Sequence, residues 1–420
     1  MVAADGMRGN RPPTVGFAQR HRLLAGMILL ILAFALTLII CEVGLRLLVE
    51  VTDVPFYYWD PTVGPRISPN QSGRHIGGSF VDGRFSFNSQ GWNHPEDYVI
   101  EKKPGTLRVC LVGDSYVEAA QVVPDRMMNA VAQRLMDRPD RPVQWYPFGV
   151  SGFGTAAEYE VIRNYVLDYH PDLVILLFVQ NDPADSSPYI SDLPPYEVRY
   201  VLDGAGGLHR FPPTEEWRPT QWRRLAARSA MVRYFMIQRG LLGALRRLRG
   251  GTSVGSEPLR EGIRLAGSSI VEGIEHMSID ERGRKTWDLI ATLLEAIRDE
   301  CNDHGARFAI AFRGWRDEID APIEPEIVEP VPEGDDPHCL GRRMREMGRE
   351  FLSPIAMRLE IPYLDLTGAL HDEVAATGKS HRFPNDNHFS EIGHDAAGKA
   401  LAAWGEELLA SPVPHTLTPQ

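Results

Sequence analysis

The sequence predicts an α/β fold in which five parallel strands form one sheet covered by helices on both faces. Short apolar runs alternate with helix-like stretches from residue 107 onward, and this alternation is typical of parallel βαβ units. Of the 420 residues, 43% are hydrophobic and 24% are charged, as in a globular protein with a core. The predicted strands are Leu107–Val112, Val143–Tyr146, Leu173–Val179, Arg307–Phe312 and Ile361–Leu366.

The helix-like stretches follow these strands, at about residues 121–137, 155–169, 284–304, 341–359 and 391–409. Residues 183–283 interrupt this alternation of strands and helices. A structureless connection of that length is unusual inside a compact domain. We therefore expect residues 106–412 to form one folded domain that carries a partly helical insertion at about 183–283.

The amino-terminal region predicts a membrane anchor. Leu23–Cys41 is a run of nineteen uncharged, mostly apolar residues, and about 20 such residues span the hydrocarbon core of a bilayer. No small-residue cleavage site of a signal peptide is evident, and bulky Ile40 before Cys41 argues against a lipoprotein. We predict an uncleaved transmembrane helix at residues 23–45. Four arginines in residues 1–22 predict a cytoplasmic tail and an extracytoplasmic remainder.

Between the anchor and the domain, residues 46–105 are rich in glycine, proline and asparagine and predict an irregular extracytoplasmic approach segment. The acidic, proline-rich residues 322–337 predict a loop over one strand end that could act as a lid. Within the insertion, residues 218–249 carry nine arginines interleaved with apolar side chains. These residues either rest on anionic lipid headgroups or form a helix pair that caps the sheet and leaves its arginines solvated.

Charge and motif content exclude several classes of partner and cofactor. A formal net charge of −12 argues against nucleic acid as a general partner. The histidines and acids show no metal-ligand spacing such as HExxH, and Gly149-x-x-Gly152-x-Gly154 does not match the GxGxxG of dinucleotide binding. We therefore expect no cofactor and no metal. Of the four cysteines, Cys41 and Cys110 lie in apolar runs, whereas Cys301 and Cys339 are either paired or free.

Polar residues with complementary chemistry follow the strand ends. Ligands bind at the carboxyl ends of strands in an open α/β sheet, and Ser115 in Gly113-Asp114-Ser115 occupies the first such end as a candidate nucleophile. Gly152 follows the second strand, where its N–H can face a developing negative charge. Asn181 follows the third strand and offers a side-chain amide donor. After the fifth strand, His388 can act as a base that Asp386 orients.

Each of these residues also has a simpler structural explanation. Gly152 can serve only a tight strand-to-helix turn, and Asn181 can cap a helix. Asp386 and His388 can belong to a surface turn. Glu391 and His394 form a competing acid–histidine pair, which we disfavour because His394 falls in the first turn of the last helix.

In this order, Gly113-Asp114-Ser115, Gly152, Asn181 and Asp386-x-His388 resemble the blocks of the SGNH/GDSL hydrolase superfamily. The resemblance covers residues 107 to about 410 apart from the insertion. It implies a three-layer α/β/α flavodoxin-like fold. It also implies Ser115 as nucleophile, His388 as base, Asp386 as its orienting carboxylate, and an oxyanion hole formed by the N–H groups of Ser115 and Gly152 and the Asn181 amide. The anchor, the Asn88-x-x-Gly91 turn and the Asp-x-His block resemble a membrane-anchored bacterial branch.

The chain departs from the superfamily pattern at three places. Members often have Gly-x-Asn-Asp in the third block, where this chain has Val179-Gln180-Asn181-Asp182. Pro147 stands where the second block often has an asparagine. Many members separate the aspartate and histidine by two residues, whereas one residue separates Asp386 from His388. These changes affect loop shape and one supporting hydrogen bond more than the proposed donors.

The leading hypothesis is a serine esterase or deacetylase that works through an acyl-enzyme outside the cytoplasmic membrane, on an acylated small molecule or glycan. A second hypothesis resolves the same acyl-enzyme with a sugar hydroxyl, giving an O-acyltransferase for envelope glycans. The third is a catalytically silent, membrane-tethered glycan-binding protein on the same fold. In all three, the lipid bilayer is a partner through residues 23–45.

Overall fold

A computed structural model describes residues 21–76, 83–191, 193–239, 241, 270–323, 348–383 and 386–410. At its centre is a five-stranded parallel sheet. In chain order its strands are β1 (Leu107–Gly113), β2 (Val143–Gly149), β3 (Leu173–Phe178), β4 (Arg307–Phe312) and β5 (Tyr363–Asp365). The spatial order is β5-β4-β3-β1-β2. This is the flavodoxin-like order, so the predicted fold class is confirmed.

In the described part of the chain the helices are α1 (Arg22–Leu48), α2 (Ser115–Glu118), α3 (Met128–Met136), α4 (Thr155–Val161), α5 (Asp182–Ser186), α6 (Gln221–Arg228), α7 (Ala230–Val232), α8 (Ile279–Asp303), α9 (Arg316–Asp320), α10 (Gly348–Arg358), α11 (Thr367–Thr377) and α12 (Glu391–Ala410). Helix α4 continues through a π-helical turn, Ile162–Val166, into a 3₁₀ turn, Leu167–Tyr169. Helix α7 continues through a second π-helical turn, Arg233–Gln238. Two further 3₁₀ turns are Pro124–Arg126 and Ile274–His276.

Alternate side chains of the strands enter two separate apolar cores, one on each face of the sheet. In β1, Cys110 and Val112 face the core formed with α4, α8 and α10. Val109 and Leu111 face the core formed with α3, α11 and α12. All six residues of β3 are buried, as expected of a central strand covered on both faces. Truncating such a side chain to alanine costs about 2–5 kcal/mol, so the sheet is a stable platform for its strand ends.

The approach segment is not irregular as predicted. Tyr57–Asp60 pairs with Gly64–Ile67, and Gln71–His75 pairs with Gly83–Phe87, in two antiparallel hairpins. Strands of four or five residues are too short to leave a clear alternation in a sequence punctuated by turn residues. The second hairpin packs closely on the chain after α2, since a methyl group on Gly83 would lie 2.5 Å from the Gln121 carbonyl oxygen.

The described part of the insertion contains α5 to α7, the hairpin formed by Arg199–Leu202 and Leu208–Phe211, and the start of α8. The rest of the basic stretch predicted at 218–249, beyond residue 241, lies outside the described residues. Most of the acidic loop at 322–337 and Cys339 also lie outside them. The lid therefore stays a prediction. Cys301 is a free, buried cysteine, which favours the unpaired alternative for it.

Helix α1 has an apolar surface that no other described part of the chain covers. None of its residues is buried. Among the described residues it is the one helix long and apolar enough to cross a membrane. Length and composition support a membrane span, and its orientation stays a prediction.

Candidate active site

The end of β1 places Ser115 at the start of the short helix α2. The Asp114 side chain caps this helix, because its Oδ1 accepts the Tyr116 N–H at 2.9 Å. The turn requires close packing against β2, since a methyl group on Gly149 would lie 2.0 Å from the Glu118 nitrogen. Ser115 is 8% exposed. Its backbone N–H belongs to the first helical turn, where such groups have no partner within the helix.

Ser115, His388 and Asp386 form one hydrogen-bonded chain. His388 Nε2 lies 2.7 Å from Ser115 Oγ, and His388 Nδ1 lies 2.5 Å from Asp386 Oδ1. Asp386 Oδ1 also accepts the His388 backbone N–H at 2.8 Å. Both ring nitrogens of His388 are thus engaged, one by the Asp386 carboxyl group and the other by the Ser115 hydroxyl. This is the arrangement in which an imidazole can take the serine proton.

The loop that carries His388 is tied directly to α2. The Tyr116 hydroxyl donates to the Asn387 carbonyl oxygen at 2.6 Å, and the Tyr116 and Phe389 rings meet edge to face at 5.0 Å. These contacts fix the distance between two segments that are far apart in sequence. The competing histidine lies elsewhere: buried His394 accepts the Met128 N–H on Nδ1 at 3.3 Å. Its burial lowers the pKa of His394 to about 3.

Asn181 and Gly152 lie at the two neighbouring strand ends. The Asn181 amide nitrogen donates to Asp114 Oδ2 at 3.2 Å and to Asp185 Oδ2 at 2.8 Å. Gly152 has a φ of +86°, a left-handed conformation that favours glycine. The turn before it is held to α2, because Glu118 accepts the Ser151 N–H at 2.9 Å and the Ser151 hydroxyl at 2.7 Å.

Two buried carboxyl groups on α4 and α5 interact electrostatically with Asp114 and Asp185, which are the two acceptors of the Asn181 amide. Both Glu158 oxygens and Asp182 Oδ1 are buried, and no described residue hydrogen-bonds to them. Burial and the neighbouring carboxylates raise the pKa values of Glu158 and Asp182 well above the usual range. Both groups are therefore stabilised in the neutral form, which lowers the negative charge close to the site.

Arg313 is a site residue that the sequence reasoning missed. It directly follows β4 and is fully buried. Its guanidinium donates to Gln180 Oε1 at 2.7 Å and lies 3.0 Å from His381 Nε2 and 3.4 Å from the Asn387 carbonyl oxygen. Its position after a predicted strand was the available signal, because it occupies the same edge of the sheet as Ser115.

His75 was also missed. It ends the first strand of the second hairpin, and it interacts electrostatically with Asp386 and His388. Desolvation, the largest effect, lowers the pKa of His75 to about 4, whereas the Asp386 charge acts in the opposite direction. The approach segment therefore contributes a histidine that is neutral near pH 7 and interacts electrostatically with two of the three residues of the hydrogen-bonded chain. No sequence pattern signalled it, since the segment was predicted to be irregular.

No protein-family model matches the sequence, and no curated protein matches it. Among solved structures, TesA superposes with a TM-score of 0.35 and 10% identity, over 72% of this chain and 99% of its own. A variant of Axe2, an acetyl-xylooligosaccharide esterase from Geobacillus stearothermophilus, gives 0.35 and 14%, over 72% and 95%.

A two-domain esterase active on acetylated mannans gives a TM-score of 0.35 and 10% identity, over 75% of this chain. The match spans about half of that esterase, 52% of its length. Similarities at these TM-scores carry no argument about function. The function must therefore be inferred from the geometry of the site itself.

Proposed function

We propose that the protein is a membrane-anchored serine hydrolase that cleaves carboxylic esters through an acyl-enzyme on Ser115. The observation that carries this proposal is the chain of contacts from Ser115 Oγ to His388 Nε2, 2.7 Å, and from His388 Nδ1 to Asp386 Oδ1, 2.5 Å. A serine hydroxyl is a weak nucleophile until an adjacent base takes its proton. The contact with His388 supplies that base.

In the first half-reaction, Ser115 Oγ attacks the ester carbonyl carbon while His388 Nε2 takes the hydroxyl proton. Asp386 holds the Nδ1–H and stabilises the imidazolium that forms. The tetrahedral intermediate collapses when the bond to the alcohol breaks and the alcohol oxygen takes the proton from His388. In the second half-reaction, water loses a proton to His388 and attacks the acyl carbon. The bond between the acyl carbon and Ser115 Oγ then breaks, His388 returns the proton to Oγ, and the carboxylic acid leaves.

The carbonyl oxygen becomes negatively charged in each half-reaction. We assign its stabilisation to the N–H groups of Ser115 and Gly152 and to the Asn181 amide. The Asn181 amide nitrogen would exchange its longer contact, 3.2 Å to Asp114 Oδ2, for the oxyanion. Its shorter contact, 2.8 Å to Asp185 Oδ2, keeps the amide in orientation. Donors placed in this way stabilise charge that develops in the transition state.

The substrate class is a carboxylic ester of a small molecule or glycan on the extracytoplasmic side. The exposed apolar surface of α1 and the arginines before it support this location. A membrane-impermeant maleimide in spheroplasts tests the location. A cysteine in place of exposed Ser72 should react, whereas no reaction without cell lysis would contradict an extracytoplasmic domain.

The chemistry is tested on the detergent-purified full-length chain with short acyl esters and a fluorophosphonate probe. We expect wild type to hydrolyse the esters and to form a phosphonyl adduct on Ser115. Ser115→Ala should lose both properties, whereas the matched variant at exposed Ser89, Ser89→Ala, should keep them. Unchanged turnover in Ser115→Ala, or an adduct on another residue, would contradict the assignment of Ser115.

A further inference from the structure

Part of the insertion lies against the end of α1 that faces the domain. We use the name ledge for residues 221–239. They comprise α6, α7 and the π-helical turn Arg233–Gln238. The Glu42 carboxylate accepts hydrogen bonds from the Ser229 hydroxyl at 2.9 Å and from the N–H groups of Ala230 and Met231 at 2.8 and 3.0 Å. The Arg46 guanidinium donates to the Arg228 carbonyl oxygen. The middle of the ledge is thus bonded to α1.

The far end of the ledge is bonded to the residues that follow α1. The Gln238 side chain accepts the Thr52 N–H at 3.0 Å and donates to the Glu50 carbonyl oxygen at 3.1 Å. Arg233 forms an ion pair with Asp53 at 3.7 Å. Two separate sets of contacts therefore prevent the ledge from turning about α1.

The contacts with Glu42 indicate the depth of the ledge relative to the hydrocarbon core of a bilayer. Glu42 is the first charged residue after the nineteen uncharged residues of Leu23–Cys41. A charged side chain is costly inside the hydrocarbon core, so Glu42 marks the boundary of that core if α1 crosses the bilayer. The ledge backbone that bonds to Glu42 then lies at the same boundary.

The exposed side chains of the ledge have the composition of an interfacial helix. Its exposed apolar side chains are Trp222, Leu225 and Phe235, which are 37%, 50% and 46% exposed. Its exposed cations are Arg224, Arg228 and Arg239. Helices that lie in a membrane interface combine these apolar anchors with arginine, and tryptophan is enriched at headgroup depth. On the inward side, buried Arg223 lies over the Tyr57 ring at 3.9 Å.

We propose that the ledge lies in the headgroup region of a bilayer that contains anionic phospholipid. Trp222, Leu225 and Phe235 enter the acyl boundary, and the exposed arginines contact phosphate groups. The ledge then acts as a second attachment that fixes the orientation of the domain above the membrane. This inference rests on the proposed membrane crossing of α1 and is independent of the ester chemistry.

Spin labels on the full-length chain in phosphatidylcholine–phosphatidylglycerol nanodiscs test the proposal. Single cysteines replace Leu225 in the ledge, Leu32 in α1 and Met357 on α10, in a Cys41→Ser, Cys339→Ser background. Met357 is the matched control because it is an exposed apolar residue, 78% exposed, outside the ledge. A label that collides mainly with oxygen lies in lipid, where oxygen is enriched. A label that collides mainly with a water-soluble nickel chelate lies in water. We expect the Leu225 label to favour oxygen, as at Leu32, and the Met357 label to favour nickel.

A Leu225 label as accessible to nickel as the Met357 label, with Leu32 still in lipid, would overturn the ledge proposal and leave the anchor intact. A Leu225 label shielded from both reagents would mean that protein covers the surface, which also overturns it. Water access at both Leu32 and Leu225 would remove the anchor and the ledge together. None of these results depends on esterase activity, so a failure of the proposed function remains distinguishable.

The preference for anionic lipid is tested with arginine variants. Arg224→Gln with Arg239→Gln should shift the Leu225 label toward water in nanodiscs that contain phosphatidylglycerol. In pure phosphatidylcholine, the same change should have little effect. The matched pair Arg134→Gln with Arg358→Gln, at exposed arginines away from the ledge, should shift nothing. An equal response in both lipids would overturn the role assigned to anionic headgroups.

Discussion

His388 and His381 each pair with an aspartate in the same way but differ in exposure. His388 Nδ1 lies 2.5 Å from Asp386 Oδ1, and His381 Nδ1 lies 2.8 Å from Asp320 Oδ1. The His388 side chain is 16% exposed, whereas that of His381 is fully buried. The first pair can therefore meet a substrate and water, and the second cannot.

The second ring nitrogen decides what each pair can do. His388 turns Nε2 to the Ser115 hydroxyl, whereas His381 turns Nε2 to Arg313. Burial lowers the pKa of His381 to about 4, so its neutral ring can accept a hydrogen bond from the permanent cation. Arg313 also reaches the Asn387 carbonyl oxygen, beside His388. The buried pair thus supports the loop of the exposed pair, which shows that an aspartate–histidine contact alone does not identify a catalytic base.

The largest expected effect separates these two histidines. His388→Gln should lower ester turnover by roughly four to six decades, as loss of a triad base does in related enzymes, with little change in melting temperature. His381→Gln should cost stability, about 1–3 kcal/mol for the unpaired buried groups it leaves, and should keep turnover within roughly tenfold. Initial rates and thermal unfolding in detergent measure both. Equal losses of turnover in the two variants would contradict the distinction.

The next largest effect concerns the negative charge that would develop on the substrate carbonyl oxygen when Ser115, with His388 as its base, attacks the ester. Asn181→Ala should lower kcat by roughly two to three decades, about 2.7–4 kcal/mol, because it removes a proposed oxyanion donor. Asn164→Ala is a suitable control, since its amide contacts Glu160 rather than the site. Steady-state kinetics on short acyl esters measure the effect. A kcat of Asn181→Ala within twofold of wild type would remove Asn181 from the proposed oxyanion hole.

Arg313 links the two aspartate–histidine pairs, because it contacts both His381 and the Asn387 carbonyl oxygen. This link predicts a smaller effect on kcat. Arg313→Met should lower kcat by about tenfold, or ~1.4 kcal/mol, with KM unchanged, because the Asn387 carbonyl loses its buried donor and the His388 loop loosens. Arg108→Met is the matched control: Arg108 is equally buried, but it bonds to Gln144 and Ile100 at the other end of β1. That variant should lose stability and keep kcat. The same kcat loss in both would indicate a purely structural role for Arg313.

Glu158, a buried carboxyl to which no described residue donates a hydrogen bond, extends the comparison and gives the smallest effect. Because burial raises the pKa of Glu158, the folded state binds its proton more tightly than the unfolded chain does. Stability should be greatest below the unfolded pKa and decline as pH rises toward the folded pKa. Glu158→Gln should therefore raise the melting temperature at about pH 8 and change it little at about pH 4.

Melting curves across this pH range check the prediction. Glu160→Gln on the same helix is the control, because Glu160 pairs with Arg210 at 2.7 Å. Removing that charge should destabilise the protein near neutral pH rather than stabilise it. A Glu158→Gln variant that loses stability at about pH 8 would show that the ionised carboxylate has a favourable partner.

The sheet was predictable because its strands are buried on both faces and read as continuous apolar runs, as in Leu173–Phe178. Strand ends were predictable for a related reason, since a glycine or polar residue stops each run. These two signals predict that Ser115, Asn181 and His388 lie at one edge of the sheet. Their catalytic roles remain proposals.

The supporting residues could not be predicted in the same way. Contacts join the side chains of Arg313, Asp320 and His381, which lie up to 68 positions apart in the sequence. The hydrophobic periodicity of a single helix or strand gives no information about contacts over such distances. His75 interacts electrostatically with Asp386 and His388, but it belongs to a hairpin whose strands are too short to show alternation. Sequence therefore indicated the chemistry at the strand ends but not the buried groups that hold it in place.

The two hydrogen bonds from Ser151 to Glu118 have a consequence for the timing of substrate binding. Because they join the turn before Gly152 to the helix that starts at Ser115, the two backbone donors of the proposed oxyanion hole belong to one rigid body. Their mutual orientation is set when the chain folds. A substrate then loses its own freedom on binding but does not have to order the donors, so more of its binding energy is left to lower the reaction barrier.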